Sequence, residues 1–266
     1  MKAALIGFGK QRGRYADVLL RCGCSAVDVD YVPEHAQVVL LSEVQELDKV
    51  LPHIQSLKHV FIKQHSLSSK DLQQIDKVAS EAEVVVHFSA PKLYEWNIPD
   101  VIRLIGNVKL IQVYKDYDYA KKLHSSELKN ELLAAACVVS SRISNIVKSR
   151  SIVPCDFEVL GFRIDFANVA TAHFWLGSST FTPRQEVRFF GCNGMVLLDD
   201  IARAVHLKTL DGTLFTTPFL SPADSEEKEL MDFIQSIARG RKQTLLSAVN
   251  AAIAKIAEER LSQLNK

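Results

Sequence analysis

The chain has 266 residues, enough for a sizeable core and about two domains. Hydrophobic residues make up 47% and charged residues 24%, and the formal net charge of +1 gives no global field for nucleic acid or an anionic membrane. No apolar run reaches membrane-spanning length, and Met1 leads straight into a strand pattern, so a cytoplasmic protein is expected.

The first ten residues, MKAALIGFGK, organise the rest of the chain. Ala3 to Ile6 read as a short buried strand, Gly7-Phe8-Gly9 as a turn, and Gln11 to Leu20 as a helix. That order is the context of a dinucleotide-binding loop, in which glycine lets the backbone approach a pyrophosphate at a helix N-terminus. The third glycine of the fingerprint would fall at position 12, which is Arg12, with Gly13 one place later. A plain strand-to-helix turn has the same pattern, so both readings stand. Arg12 can pair with a cofactor phosphate or be a surface charge.

Ala26 to Val32 alternates as a second strand, and an acid near its end would bind the adenosine ribose. Asp28 and Asp30 are in range, Asp30 slightly better placed, against the alternative of a solvated strand edge. Pro33-Glu34-His35 then leads at once into Val38 to Leu41, another buried strand. A full Rossmann half would need a helix and a third strand here, so the sheet is expected to lack one edge.

The βα rhythm resumes with a helix over 44–57, a strand at His59 to Ile62, a helix capped by Ser68 with Asp71 in its first turn, and a strand at Val84 to Phe88. A short helix opens at Asn97-Ile98-Pro99 and stops at Gly106. After Val108 to Tyr114, a strand, comes a helix over 126–148. Strands then dominate: a hairpin of Phe157 to Phe166 and Val169 to Leu176, then 186–190, 195–198, 205–210 and 214–219. Ser221-Pro222 starts a helix ending at Gly240, and a last helix covers 245–264. The expected architecture is an α/β Rossmann-like domain over 1–106, with one edge of its parallel sheet truncated, and over 107–266 an α+β domain with an open, mostly antiparallel sheet.

The five cysteines form no framework. Cys22 and Cys24 lack the second pair a zinc site needs, so no metal is expected, and Cys137, Cys155 and Cys192 read as core.

In this order the chain resembles the glucose–fructose oxidoreductase / inositol dehydrogenase / MocA family. KHVFIKQHSLSSKDLQQI (Lys58 to Ile75) resembles the segment that family writes as K-H-V, two hydrophobics and E-K-P. EVRFFGCNGMVLLDD (Glu186 to Asp200) and the tail from Asp232 to Glu259 resemble its second-domain strand pair and closing helices. The resemblance implies an NAD(P)-dependent oxidoreductase acting on a sugar-like or other small polyhydroxy substrate, with NAD or NADP as cofactor. It also implies a homo-oligomer joined through the C-terminal sheet, with Trp175 and His173 as interface aromatics.

The chain departs from the family where its chemistry sits. Gln64 stands where the family has its catalytic lysine, and an amide carries neither that charge nor that proton. Ala134, Ala136, Val138 and Ser141 fall where the family places an Asp, a Gly, a His and a second Asp. The expected site is therefore rebuilt from Gly7, Phe8, Gly9, Lys10, Arg12 and Asp30 for the cofactor, Lys63 and His87 for catalysis, and His65, Tyr94 and Lys115 for the substrate. These titratable groups lie at strand ends, where open α/β sheets bind ligands and where solvated polar residues also collect. The alternative is a catalytically inactive relative that binds a ligand or serves in assembly.

Overall fold

The structure is a computed structural model describing residues 1–28, 32–116, 128–153, 157–177, 185–241 and 243–264. It divides into two units, Met1–Tyr94 with Ser221–Ala252, and Glu95–Leu220 with Ile253–Lys266. The division differs from the expected cut near Gly106. The short helix before Gly106 goes with the second sheet, and the helix after Ser221 returns to the first.

In the first unit, strands and helices alternate. They are β1 (Lys2–Ile6), α1 (Arg12–Arg21), β2 (Ser25–Asp28), β3 (Val38–Val44), α2 (Leu51–Gln55), β4 (His59–His65), α3 (Ser69–Glu81), β5 (Val86–Phe88) and the short α4 (Pro91–Glu95). The strands pair in parallel in the order β2-β1-β3-β4-β5. Among the described residues the sheet ends on β2, so the expected truncation holds. One face packs Ala3, Leu5, Leu40, Phe61 and Val85 against Tyr15, Val18 and Leu19 of α1, and against Leu230, Phe233 and Ile234 from the helix that Ser221 caps. The other face buries Val39, Leu41, Val60 and Ile62 under Leu72 and Ile75 of α3. Both faces are covered, which is why the strands read as continuous apolar runs.

The shortcut from β2 to β3 is pinned by a lysine. Lys58 is buried, and its Nζ donates to the carbonyls of Ala36 at 2.7 Å, Glu34 at 2.9 Å and Pro33 at 3.3 Å. An ammonium has three N–H donors and three carbonyls satisfy them. At the start of α3, Ser68 accepts from the Asp71 backbone N–H while the Asp71 carboxylate accepts from the Ser68 backbone N–H, closing the expected capping box.

Two helices are shorter than expected. In place of a helix over 44–57, β3 runs on to Val44, paired with His65, and only one turn of 3-10 helix and the five-residue α2 come after it. Pro52 explains the break, because it has no N–H to bond back to Asp48 and fits only a first helical turn.

The second unit contains α5 (Ile98–Ile105), β6 (Val108–Asp116), α6 (Lys129–Val139), β7 (Ile143–Val153), β8 (Phe157–Phe166), β9 (Thr171–Gly177), β10 (Gln185–Gly191), β11 (Gly194–Asp199), β12 (Ala204–Thr209) and β13 (Leu214–Pro218). The helix expected over 126–148 is therefore half strand. Ser140 turns left-handed at φ +47° and ends α6, and the β-branched Ile143, Ile146 and Val147 pair with β8 instead. The eight strands run β13-β12-β11-β10-β6-β9-β8-β7, antiparallel except for β6 beside β9. Ile111, Val113, Phe162, Ile164, Phe174, Val187 and Phe189 fill one face, with α5 against β11 and α6 against β6. The last helices are α7 (Pro222–Ala238), capped by Ser221 as expected, and α8 (Ala248–Leu264).

Cys24 and Cys137 are buried, whereas Cys192 is exposed in the turn between β10 and β11, a correction to its expected core position. Apolar neighbours in sequence placed it in the core, but a hairpin turn projects its residues outward. Cys155 lies outside the described residues.

Candidate functional site

In the first unit the site is built on the turn that leaves β1. Gly7 has φ +78° and Gly9 φ +49°, left-handed conformations that a side chain resists. A β-carbon on Gly9 would meet no atom of the described residues within 4 Å, so the loop is open on that side. Phe8 between them points into the core, its ring 4.5 Å from that of Tyr15, and offers a ligand only its backbone. α1 then begins without a side-chain cap and without an acid in its first turn, while Lys10 and Arg12 are exposed beside it. Backbone N–H groups and positive charge, with no acid in that turn to compete, suit a phosphate.

Lys63, in the last turn of pleat on β4, reaches this loop. Its Nζ donates to the side-chain carbonyl of Gln11, a neutral amide, and lies 5.1 Å from the centre of the Tyr15 ring. The Tyr15 phenol is kept protonated, pushed up by burial and then by the carboxylates of Glu226 and Glu229. Gln64 is exposed and points to the opposite side of β4 from Lys63.

His87 lies elsewhere. No part of it is exposed, its ring stacks on Phe61 at 5.1 Å, Nε2 lies 3.1 Å from Glu229 Oε1, and Nδ1 lies 3.0 Å from Thr244 Oγ1. Glu229, equally buried, also accepts from Ser89 Oγ at 2.7 Å and from the Ala90 backbone N–H at 2.6 Å. Every member of this network is satisfied inside the protein, which makes it a tie between β5 and α7. A substrate has no surface of His87 to touch, so the sequence-based expectation of catalysis there is corrected.

Tyr94 is likewise fully buried, its hydroxyl donating to Asp232 at 2.9 Å. His65 is half-buried, edge-on to Phe88 at 4.9 Å. Asp30 lies outside the described residues, as does the side chain of Asp28. The glycine loop, Lys10, Arg12 and Lys63 therefore come together; His87 and Tyr94 are core.

The second unit holds a separate group. Lys115, near the end of β6, pairs through Nζ with Glu131 Oε1 at 2.9 Å. Glu131 stands in the first turn of α6, where a helix N-terminus favours a carboxylate, and is 6% exposed. Both line a small recess with Trp96, Tyr114, Gln185 and Asp200. Glu131 escapes a reading of the sequence because its partner is on another element; an acid among Leu132, Leu133 and three alanines is the available signal. Across the open face of this sheet, His173 stacks on Trp175 at 5.4 Å, Trp175 on Tyr114 at 4.8 Å, and Arg188 lies 5.5 Å from the Tyr114 ring. Among the described residues no three His, Cys, Asp or Glu side chains are grouped as metal ligands, and no helix is long and apolar enough to cross a membrane.

The sequence matches no protein-family model and no curated protein. Solved structures do match. UDP-N-acetylglucosamine 3-dehydrogenase from Acidithiobacillus ferrooxidans superposes with a TM-score of 0.67 at 13% identity, over 98% of this chain and 96% of that one. An oxidoreductase from Agrobacterium radiobacter, solved with NAD+, L-tartaric acid and magnesium, gives 0.67 at 11% identity over 97% and 94%. Biliverdin reductase from Synechocystis, solved with biliverdin and NADP+, gives 0.57 at 13% identity over 97% and 98%. The chain has the two-part fold of these dehydrogenases and reductases, a Rossmann-like parallel sheet and a mostly antiparallel open sheet.

Proposed function

We propose that the chain is an NAD(P)-dependent oxidoreductase acting on a sugar-like or other small polyhydroxy substrate. The observation that carries this is the Gly7–Phe8–Gly9 turn, with both glycines left-handed and open space beside Gly9. The residues present fit a dinucleotide: Gly7 and Gly9 would let its diphosphate approach the backbone, and Lys10, Arg12 and Lys63 would balance its charge. The bound cofactor supplies hydride transfer, and the protein positions it and manages one proton. The solved structures with NAD+ and NADP+ support the same choice of cofactor. Lys63 is the titratable group nearest this loop on β4 and remains the candidate for catalysis or for cofactor charge.

Titration with NADH and NADPH, followed by nicotinamide fluorescence, tests the proposal. Saturable binding that Gly9→Asp weakens supports it, and a sugar and polyol screen then seeks the substrate. Absence of binding at millimolar cofactor, on the order of −4 kcal/mol or weaker, removes it.

A second reading has its own support. Gln64 and the apolar 134–138 stretch leave the family's proton-transfer positions without a titratable group. An inactive relative that binds a ligand, or that assembles through the His173–Trp175–Tyr114 face as a homo-oligomer, would bind without turnover. Sedimentation of wild type against Trp175→Glu separates assembly from a monomer.

A further inference from the structure

The parallel sheet is lopsided about the glycine turn. β1, whose end leads into Gly7 and Gly9, has β3, β4 and β5 on one side and, among the described residues, β2 alone on the other. A complete dinucleotide fold has two βαβαβ halves, one for each mononucleotide, and the half that carries the glycine turn takes the adenosine. Here that half is cut short. β2 stops at Asp28 and β3 starts at Val38, so nine residues, 29–37, make the whole connection. A helical crossover alone takes roughly a dozen. The connection is also engaged elsewhere. Val32 packs on the α3 side of the sheet, the Ala36 N–H donates to the Pro33 carbonyl at 3.0 Å, and the Gln37 N–H donates to the Lys2 carbonyl at 2.9 Å. Lys58 holds the carbonyls of Pro33, Glu34 and Ala36. Val27 in β2 is left 38% exposed.

We infer that the chain holds its cofactor by the nicotinamide mononucleotide half and leaves the adenosine in solvent. The inference rests on the oxidoreductase reading above and deepens it. The groups that suit a phosphate are Gly7, Gly9, Lys10 and Arg12 around the turn and Lys63 on β4, all on elements that are present. A mononucleotide's phosphate monoester carries about −1.5 to −2 charge at neutral pH, comparable to a diphosphate bridge, so these cations meet similar charge in either ligand. β3, β4 and β5 supply the other half of the sheet in full, the half that serves the nicotinamide. The adenine and its ribose meet one short edge strand, with neither a third strand nor a crossover helix among the described residues to wall them. A single hydrogen bond at such a solvated edge is worth at most about tenfold.

The test is fluorescence titration of the full chain with NADH and with reduced nicotinamide mononucleotide, which share the nicotinamide emission. The two dissociation constants should agree within about tenfold. Gly9→Asp should weaken both ligands, because the phosphate beside the turn is common to them. ADP should displace the bound mononucleotide no better than inorganic pyrophosphate does, since its adenosine finds no pocket. A mononucleotide that binds more than about tenfold more weakly than NADH, or that ignores Gly9→Asp, overturns the inference and leaves the oxidoreductase reading standing. So does an ADP that outcompetes pyrophosphate by more than about tenfold. If neither nicotinamide ligand binds at millimolar concentration, the oxidoreductase reading falls and takes the inference with it.

Discussion

Gly7 and Ser42 approach so closely that a β-carbon on the glycine would lie 2.5 Å from the serine Oγ. The turn after β1 is thus fixed by β3 as well as by its own left-handed backbone. Gly9 has the same backbone demand and no such neighbour among the described residues. Gly7→Ala should cost about 2–3 kcal/mol and Gly9→Ala about 1 kcal/mol, from left-handed strain with and without a clash. Urea unfolding of the two variants checks the order; a larger loss at Gly9 would contradict it.

Lys58 should be a stability residue with no role in binding. Lys58→Met removes the donor that three carbonyls share, at a cost of about 1–3 kcal/mol. Cofactor affinity measured well below the melting temperature should be unchanged.

Glu229 holds His87, Ser89 and Ala90 at once. Glu229→Ala strands all three donors in the core, and a loss of about 3–5 kcal/mol is expected in denaturant melts. In a double-mutant cycle with His87→Phe the two losses should fall well short of adding.

His59 gives the fold a pH dependence. Its Nδ1 accepts from the Val85 backbone N–H at 2.9 Å, and burial lowers its pKa from the ordinary 6.5. Below 6.5 the unfolded chain binds a proton that the folded chain resists, so stability falls as pH drops from 6.5 toward the lowered folded value. His53 and His173 are lowered by burial as well and add to the same slope. The urea midpoint should decline from pH 7 toward pH 5 by these groups, and His59→Asn, which keeps an acceptor, should flatten the profile.

Lys63 can be assigned by salt. If it balances a cofactor phosphate, Lys63→Met weakens NADH about tenfold or more and makes the remaining affinity less sensitive to ionic strength, while Lys63→Arg retains most of it. Unchanged affinity with a lower turnover would place it in catalysis.

The fold was legible where one physical signal dominated. Continuous apolar runs at 38–41 and 60–62 gave the buried strands, and Ser68–Asp71 and Ser221–Pro222 gave helix starts because capping is local chemistry. The missing edge was visible in the few residues between Val32 and Val38. The helix expected over 44–57 failed on Pro52, and that over 126–148 on the apolar stretch around Val138, whose continuation into Ile143–Val153 fits either period. The site was harder. The glycine turn was readable because backbone freedom is encoded in residue type. Burial of His87 and Tyr94 was not, because Glu229 and Asp232, which accept from them, lie more than 130 residues away. Glu131 was not legible, because its pairing with Lys115 sixteen residues earlier on another element is what gives it a role.

Leu230, Phe233 and Ile234 share a core with Leu5 and Phe61 although the whole second sheet lies between them in the chain. During synthesis the first five strands therefore emerge about 130 residues before the helix that covers them, a wait of roughly 6–25 s at ~5–20 residues per second. Throughout that interval the nascent chain exposes the part of this sheet face that α1 leaves uncovered, and it is then that a holdase chaperone has something to bind.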